Sequence, residues 1–172
     1  MLTVAPPIAA QTPTFNTGEF RQALGMFATG VTIVTAKNAD GQLIGLTVNS
    51  FNSVSLQPPL VLWSLSRNAS SLEAFSTGSH YAIHILSAHQ KDLAMQFASK
   101  GVDRFAGVEY TTGVGGAPLL QGVAATFECF NRNRYEEGDH IIFVGEVESC
   151  SHQSGASPLL YHGGKFYSEH PL

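Results

Sequence analysis

The sequence predicts a mainly β protein, in which an antiparallel barrel or sandwich carries a few peripheral helices. Runs that alternate with a period of two outnumber runs with helical spacing, and short turns join most of them. Two long runs rich in β-branched and aromatic residues, residues 123–135 and 140–150, flank a turn at residues 136–139 and predict a long hairpin. Neither GxGxxG nor GxxxxGKS/T, the phosphate-binding motifs of α/β folds, occurs in the chain.

The first predicted element is a short amphipathic helix. Asn16 followed by Glu19 is typical of a helix start, because the Asn side chain can accept from the free N–H groups of the first turn. Apolar residues repeat at helical spacing over residues 20–27, and we expect the helix to end near Gly30. Residues 1–15, which are rich in Ala, Pro and Thr, are expected to form a flexible arm ahead of it.

Four strands are predicted next. Residues 31–36 alternate with period two, and an Asp-Gly turn joins them to a return strand over residues 43–48. Residues 51–56 predict a further strand, which a pair of prolines ends because proline has no N–H for a ladder. The continuous apolar run at residues 60–65 predicts a strand that is buried on both faces.

The second half of the chain predicts two helices and several strands. A short helix is expected over residues 72–75, followed by an alternating strand over residues 80–86. Ser87 and Gln90 match a capping box, so a second amphipathic helix is expected from there to about residue 100. After the long hairpin, a final strand over residues 159–167 is interrupted by two glycines.

Composition and charge narrow the class of protein. The chain has 172 residues, of which 44% are hydrophobic and 13% are charged, and its net charge is −4. This length suits one domain, expected over residues 16–172, and so few charges predict that a second subunit covers part of the surface. The acidic balance argues against nucleic-acid binding, and no apolar run is long enough to cross a membrane.

The cysteines and the N-terminus bear on the cellular compartment. Cys129 and Cys150 are too few for a disulfide framework and have no CxxC spacing. Residues 1–11 lack the basic start and the continuous apolar stretch of a signal peptide. We therefore expect a cytoplasmic protein with reduced thiols.

The sequence predicts no metal site and no catalytic side chain. The histidines do not show metal-ligand spacing, and neither HExxH nor the GxSxG nucleophile motif occurs. No pair of side chains is a convincing general acid and base. This absence is compatible with hydride transfer between two bound cofactors, because the cofactors then carry the electrons and the protein orients them.

Two polar segments in the first half of the chain suit a bound cofactor. Residues 45–55 place hydroxyl and amide side chains among apolar ones, which can orient a polar heterocycle. Residues 64–71 contain hydroxyls and Arg67 ahead of a short helix, a combination that can hold a phosphate. The alternatives are hydroxyls that bond their own backbone and an ordinary capped helix start, and residue types alone favour both alternatives.

Two further segments are candidates for binding a cofactor, and each also has a purely structural alternative. In Asp103-Arg104-Phe105, the Arg can pair with a phosphate and the Phe can stack on a ring. The alternative is a surface ion pair beside an anchoring aromatic side chain. In Gly138-Asp139-His140, the His can contact a dinucleotide, whereas the alternative is a turn with a solvated imidazole.

Several motifs occur together in one order along residues 20–167. They are FATGVTIVT at 27–35, GLTVNSF at 45–51, SVSL at 53–56, PPLVL at 58–62, DRF at 103–105 and GDHIIFVGEV at 138–147. In these motifs the chain resembles the short-chain NAD(P)H:flavin oxidoreductases, the reductase components of two-component flavin-dependent monooxygenases. Each motif alone is weak, but the whole set in order is specific.

The resemblance implies a fold and an activity. The implied fold is a mainly β, antiparallel split barrel that binds FMN, with Greek-key topology, peripheral helices and a homodimeric assembly. The implied enzyme is an NAD(P)H:flavin oxidoreductase (EC 1.5.1.-), in which NADH, or NADPH in its place, reduces FMN or FAD. Free reduced flavin would then diffuse to a separate flavin-dependent oxygenase.

The resemblance also implies site residues, carried over position by position. The implied flavin contacts are Thr47, Val48, Asn49, Ser50, Ser53, Val54, Ser55, Ser64, Leu65, Ser70, Arg104 and Phe105. His140 and Tyr167 are implied on the NADH side. Two alternatives stay open, namely a flavin-dependent reductase of ferric chelates or corrinoids, and a non-catalytic flavin or haem carrier on the same barrel.

Overall fold

The computed structural model describes residues 10–171, so residues 1–9 of the predicted arm lie outside it. The helices are α1 (Thr17–Gly25), α2 (Leu72–Thr77) and α3 (Lys91–Ala98). The strands are β1 (Thr29–Gly30), β2 (Thr32–Lys37), β3 (Leu43–Val48), β4 (Asn52–Leu56), β5 (Pro59–Ser66), β6 (His80–Ile85), β7 (Tyr110–Thr112), β8 (Pro118–Leu120), β9 (Ala125–Glu137), β10 (His140–His152), β11 (Leu160–His162) and β12 (Lys165–Tyr167). The mainly β, antiparallel class with peripheral helices is confirmed. Within residues 10–171, no helix has the length and apolar character that a bilayer span requires.

Helix α1 begins where its capping residues predict. The Asn16 Oδ1 accepts from the Glu19 N–H at 3.0 Å, and the Glu19 carboxylate accepts from the Asn16 N–H at 2.8 Å. The helix ends at Gly25, earlier than predicted, because Thr29–Gly30 forms β1 and pairs with β11. None of the nine helical residues is buried, so the apolar side chains of α1 face solvent in the single chain.

Seven strands form one antiparallel sheet in the order β3-β2-β6-β9-β10-β5-β4. The β9–β10 hairpin near its centre confirms the predicted long hairpin, and its turn contains Gly138 with a positive φ of 56°. The β2–β3 hairpin also agrees with prediction, since β3 spans Leu43–Val48. Strands β3 and β4 are the two edges of the sheet, and an edge strand leaves every second backbone N–H and C=O without a ladder partner.

One face of this sheet holds an aromatic core. Trp63 stacks on Phe143 with ring centroids 4.8 Å apart, and Phe75 and Tyr81 meet the same indole edge-on at 5.0 and 5.6 Å. Every second residue of β5 is buried and the others are partly exposed. The prediction that this strand is buried on both faces is therefore wrong, because an antiparallel sheet turns only one of its faces to this core.

The remaining strands form two small sheets and flank a second core. The predicted final strand divides at its glycine pair into β11 and β12, which pair with each other. Strands β7 and β8 are not predicted, because three residues carry too little alternation to be recognised. Helix α3 follows the predicted capping box and buries Phe97 in the second core with Ile33 and Leu86.

His84 on β6 is a fully buried polar residue. Its Nδ1 donates to the Ile33 carbonyl at 3.0 Å, and its Nε2 accepts from the Leu120 N–H at 3.2 Å. Burial lowers the pKa of His84 to about 4, against the opposing effect of the bond to Ile33. The neutral imidazole therefore links β6 to β2 and β8, which is the role of a structural histidine.

Candidate functional site

A cavity of about 800 Å³ opens between three segments of the chain. They are the edge strand β3, the loop before α2, and the segment that runs from the end of α3 to Phe105. This volume lies within the range of small-molecule and cofactor sites. Because one wall is an edge strand, the cavity meets backbone groups as well as side chains.

The backbone groups of β3 that face away from the sheet can be identified from the hydrogen bonds. The Leu86 N–H donates to the Val31 carbonyl, so Val31 and every second residue after it in β2 point their backbone groups to β6. The intervening residues of β2 bond to β3, which leaves the N–H and C=O groups of Gly45 and Thr47 on the outer edge. The hydrogen bond from the Arg104 Nη1 to the Gly45 carbonyl, at 2.7 Å, is consistent with this outward orientation.

Aromatic rings form the apolar wall beside this edge. Phe97 and Phe105 meet edge-on with ring centroids 5.0 Å apart. A Cβ at Gly45 would lie 2.5 Å from the Phe97 ring, so only glycine allows this ring to lie directly against β3. The Thr47 Oγ1 donates to the Ala94 carbonyl at 2.7 Å and ties β3 to α3. The wall is thus held by both packing and a hydrogen bond.

Arg104 lies at the junction of two walls. Its Nε and Nη2 both donate to the Ser99 carbonyl, at 3.0 and 2.9 Å, and its Nη1 donates to Gly45. The Gln96 amide donates to the Arg104 carbonyl at 2.9 Å and to the Ala106 carbonyl at 3.0 Å. The segment after α3 is therefore anchored to the helix end and to the β3 edge at once.

The third wall is the polar loop before α2. Ser66, Asn68 and Ser70, whose side chains carry hydroxyl and amide groups, line the cavity. Arg67, a candidate from sequence, turns the other way and forms an ion pair with Glu136 at 2.5 Å on the β9–β10 hairpin. The sequence prediction of a phosphate contact at this loop therefore now depends on its neutral side chains.

His140 lies beside this loop. It is paired with Ser66 in the β10–β5 ladder, so the hairpin end and the cavity wall share one register. The His140 Nδ1 lies 2.7 Å from the Asp139 carboxylate, and this hydrogen bond, followed by the charge of His140, lowers the pKa of Asp139. Tyr167, the other implied NADH contact, lies on β12 in the separate three-stranded sheet and is half-exposed.

The cavity brings together only part of the implied flavin set. The implied residues that line it are Thr47, Ser70, Arg104 and Phe105. Those outside the lining are Val48, Asn49, Ser50, Ser53, Val54, Ser55, Ser64 and Leu65. The Ser50 Oγ accepts from the Ser64 N–H at 2.9 Å, which is the backbone-bonding alternative considered above. Leu65 is buried in the aromatic core.

One charged lining residue was missed. Lys100 lines the cavity soon after the end of α3, a position at which the sequence predicts only the end of a helix. Its position three residues after the buried Phe97 and four before Arg104 was the available signal. Sequence alone does not show that the chain reverses there and returns both charged residues to the edge of β3.

Comparison with known proteins identifies relatives over most of the chain. It is 47% identical over 151 residues to the FMN reductase (NADH) SmoA of Agrobacterium fabrum, covering 88% of this chain and 85% of that protein. It is 41% identical to the reductase component of the flavin-dependent trigonelline monooxygenase of Acinetobacter baylyi, over 87% of this chain and 48% of that longer protein. The chain thus spans about half the length of some curated relatives.

A solved structure is similar to the whole fold. The Streptomyces globisporus C-1027 NADH:FAD oxidoreductase SgcE6, in complex with NAD and FAD fragments, superimposes with a TM-score of 0.87 at 36% identity, covering 95% of this chain and 98% of that one. The family described as flavin reductase like domain matches residues 24–170. On this match, and on the relatives that share most of its length, the chain belongs to the flavin reductase like domain family.

Proposed function

We propose that this protein is an NADH-dependent flavin reductase that reduces FMN or FAD and releases reduced flavin to a separate monooxygenase. The observation that carries the proposal is the cavity at the β3 edge, where outward backbone groups meet an aromatic wall in a member of this family. SmoA and SgcE6 are named as reductases of FMN and FAD with NADH, and the Acinetobacter relative as a monooxygenase reductase component. NADPH is the alternative donor.

The lining fits a flavin ring chemically. A bound flavin accepts a hydride from the nicotinamide, and it needs donors and acceptors along one edge and apolar contacts on its faces. The outer N–H and C=O groups of Gly45 and Thr47 supply the donors and acceptors, and Phe105 supplies an apolar contact. These groups would hold the ring and exclude water from it. Strand and helix anchors keep them fixed, so they are organised before the ligand binds.

The implied residues beyond the lining stay part of the proposal. Val48 and Asn49 follow Thr47 directly, so a ring that extends past Thr47 reaches them first. The further proposed flavin contacts on β4 and β5 are Ser50, Ser53, Val54, Ser55, Ser64 and Leu65. On the opposite side, His140 is the proposed NADH contact because its ladder partner Ser66 lines the cavity. Tyr167 is proposed with it.

The geometry of the connection between β3 and β4 supports a split barrel. These strands are the opposite edges of a seven-stranded sheet, yet only residues 49–51 separate them in the chain. Edges of a flat sheet of this size would lie about 29 Å apart at about 4.8 Å per strand. The link can span about 15 Å at most, at about 3.8 Å between successive Cα atoms. The sheet must therefore curl, which favours the Greek-key split barrel over an open sandwich.

A homodimer is the proposed assembly. Leu56 is 92% exposed, and Phe27 and Met26 are 76% and 71% exposed, on a chain with few charges. Large exposed apolar side chains on a chain with few charges favour a covered surface. We also propose one domain over residues 16–172, the enzyme class EC 1.5.1.-, and a cytoplasmic location, which suits the free thiols of Cys129 and Cys150.

The test is oxidation of NADH, followed at 340 nm, with purified protein and added FMN or FAD. Turnover that requires free flavin and saturates with it is the expected result, and the same assay ranks the two flavins and NADPH. Gel filtration separates the alternatives, because a reductase that supplies a partner loses its flavin on the column whereas a carrier keeps it. The absence of turnover with either flavin and either nicotinamide would overturn the proposal.

A further inference from the structure

We infer that Lys100 supplies the charge that binds the flavin phosphate, and that Arg104 is a positioning residue which holds the cavity wall. The inference rests on the proposed function. It concerns the phosphate monoester of FMN, the group by which FMN differs from riboflavin. The two cationic side chains that line the cavity, Lys100 and Arg104, differ in how many of their N–H donors are already bound to the protein.

The guanidinium of Arg104 is largely committed to the protein. An Arg side chain has five N–H donors, and it grips a phosphate best with two parallel donors on one edge. Both donors of the edge formed by Nε and Nη2 point to the Ser99 carbonyl, at 3.0 and 2.9 Å. On the other edge, Nη1 donates to the Gly45 carbonyl at 2.7 Å. Three of the five donors are therefore held by protein carbonyls, and only one N–H on each of Nη1 and Nη2 is left for another acceptor.

Lys100 has no such commitment. It lines the same cavity, its residue is exposed, and within residues 10–171 it has neither a hydrogen-bond nor an ion-pair partner. Its ammonium carries three donors on a flexible stem and acts on phosphate as a point charge. The acid nearby is Asp103, which also lines the cavity and accepts from the Phe105 N–H at 3.0 Å.

The opposite wall adds neutral donors. Ser66, Asn68 and Ser70 line the cavity from the loop before α2, and Arg67 of that loop is paired with Glu136 outside it. A phosphate held between this loop and Lys100 therefore receives one full positive charge and several hydroxyl or amide contacts. An exposed charge pair is screened by salt, so FMN affinity should fall as ionic strength rises, while riboflavin affinity should not.

The experiment compares FMN with riboflavin by quenching of flavin fluorescence in wild type, Lys100→Met, Arg104→Lys and Lys91→Met. Lys91→Met is the matched control, because it removes the same charge at the other end of α3, away from the cavity. We expect Lys100→Met to weaken FMN about tenfold, equivalent to about 1.4 kcal/mol, and riboflavin less than twofold. The salt dependence of FMN binding should disappear in the same variant.

Arg104→Lys keeps the charge but loses the fork that binds two carbonyls. We expect it to weaken FMN and riboflavin by the same factor, because the wall moves for both. Selective loss of FMN in Arg104→Lys, with Lys100→Met unchanged, would reverse the two assignments and overturn the inference. If Arg104→Lys does not fold, the FMN and riboflavin affinities of Lys100→Met, a change at an exposed residue, test the inference without it.

The outcomes also separate this inference from the proposed function. Wild-type protein that binds riboflavin as tightly as FMN would overturn phosphate recognition and leave flavin reduction standing. Wild-type protein that binds neither flavin and oxidises no NADH would overturn both. Equal losses of FMN and riboflavin in Lys100→Met would mean that Lys100 shapes the wall, which also contradicts the inference.

Discussion

Acidification should destabilise the fold through His84. The imidazole is buried and neutral, and it donates to Ile33 and accepts from the Leu120 N–H. Protonation would put a second donor opposite that N–H, and burial accordingly lowers the pKa of His84 to about 4. In the unfolded chain the pKa is about 6.5, so below that pH the unfolded state binds more protons than the folded state.

The magnitude follows from these two pKa values. The stabilisation is fully present above about pH 7 and is lost as the pH falls from about 6.5 towards 4. Between pH 7.5 and pH 5 the free energy of unfolding should fall by about 2 kcal/mol from this residue, and by about 3 kcal/mol once both states are protonated. Urea titrations followed by circular dichroism over this range measure the change directly.

Two variants isolate the contribution of His84. His84→Asn keeps a donor for Ile33 but removes the titrating ring, so it should lower stability at pH 7.5 and make its pH dependence flatter than that of wild type. His89→Asn changes an exposed histidine and should keep the wild-type dependence. A wild-type free energy of unfolding that is equal at pH 7.5 and pH 5 would refute the reasoning, as would an unchanged slope in His84→Asn.

Three further predictions concern the site. Gly45→Val places a Cβ against Phe97, so we expect a loss of about 1–3 kcal/mol in urea unfolding and weaker flavin binding. Unchanged flavin affinity would show that the wall does not touch the ring. Thr47→Val removes the hydroxyl that donates to the Ala94 carbonyl and should cost about 1 kcal/mol in the same titration. An unchanged free energy of unfolding would indicate that water replaces the hydroxyl. His140→Ala should raise the KM for NADH more than the KM for flavin in steady-state assays, and equal changes would contradict its place on the nicotinamide side.

Local patterns made much of the fold predictable. The β2–β3 and β9–β10 hairpins follow from alternation and turn residues, which act between neighbours in sequence. The capping residues Asn16 and Ser87 likewise mark real helix starts. Burial on one face of β5 was not predictable, because it depends on what lies across the sheet. The early end of α1 was missed for the same reason, since β1 pairs with a strand more than a hundred residues away.

The site was predictable in part. Four of the implied flavin contacts, Thr47, Ser70, Arg104 and Phe105, come together in the lining of one cavity, although they come from segments far apart in the sequence. The contacts made by individual side chains were not, because residue type suggests a phosphate for Arg104 whereas its partners are two carbonyl groups. Those partners come together only after β3 and the end of α3 are brought side by side. The order of the motifs therefore indicated which segments to consider. The hydrogen bonds of the folded chain were needed to distinguish Arg104, which is bound to carbonyl groups, from Lys100, which is not.

The order of strands in the main sheet has a consequence for biosynthesis. The ribosome delivers β2, β3 and β6 early as one antiparallel group, and β4 and β5 as another. These two groups do not touch in the sheet until the β9–β10 hairpin, the last part of it to be made, inserts between β6 and β5. Until then β6 and β5 each present an unpaired edge, which is the hazard that promotes aggregation of nascent chains. A chain truncated before residue 125 should therefore be insoluble, although it contains the whole cavity lining.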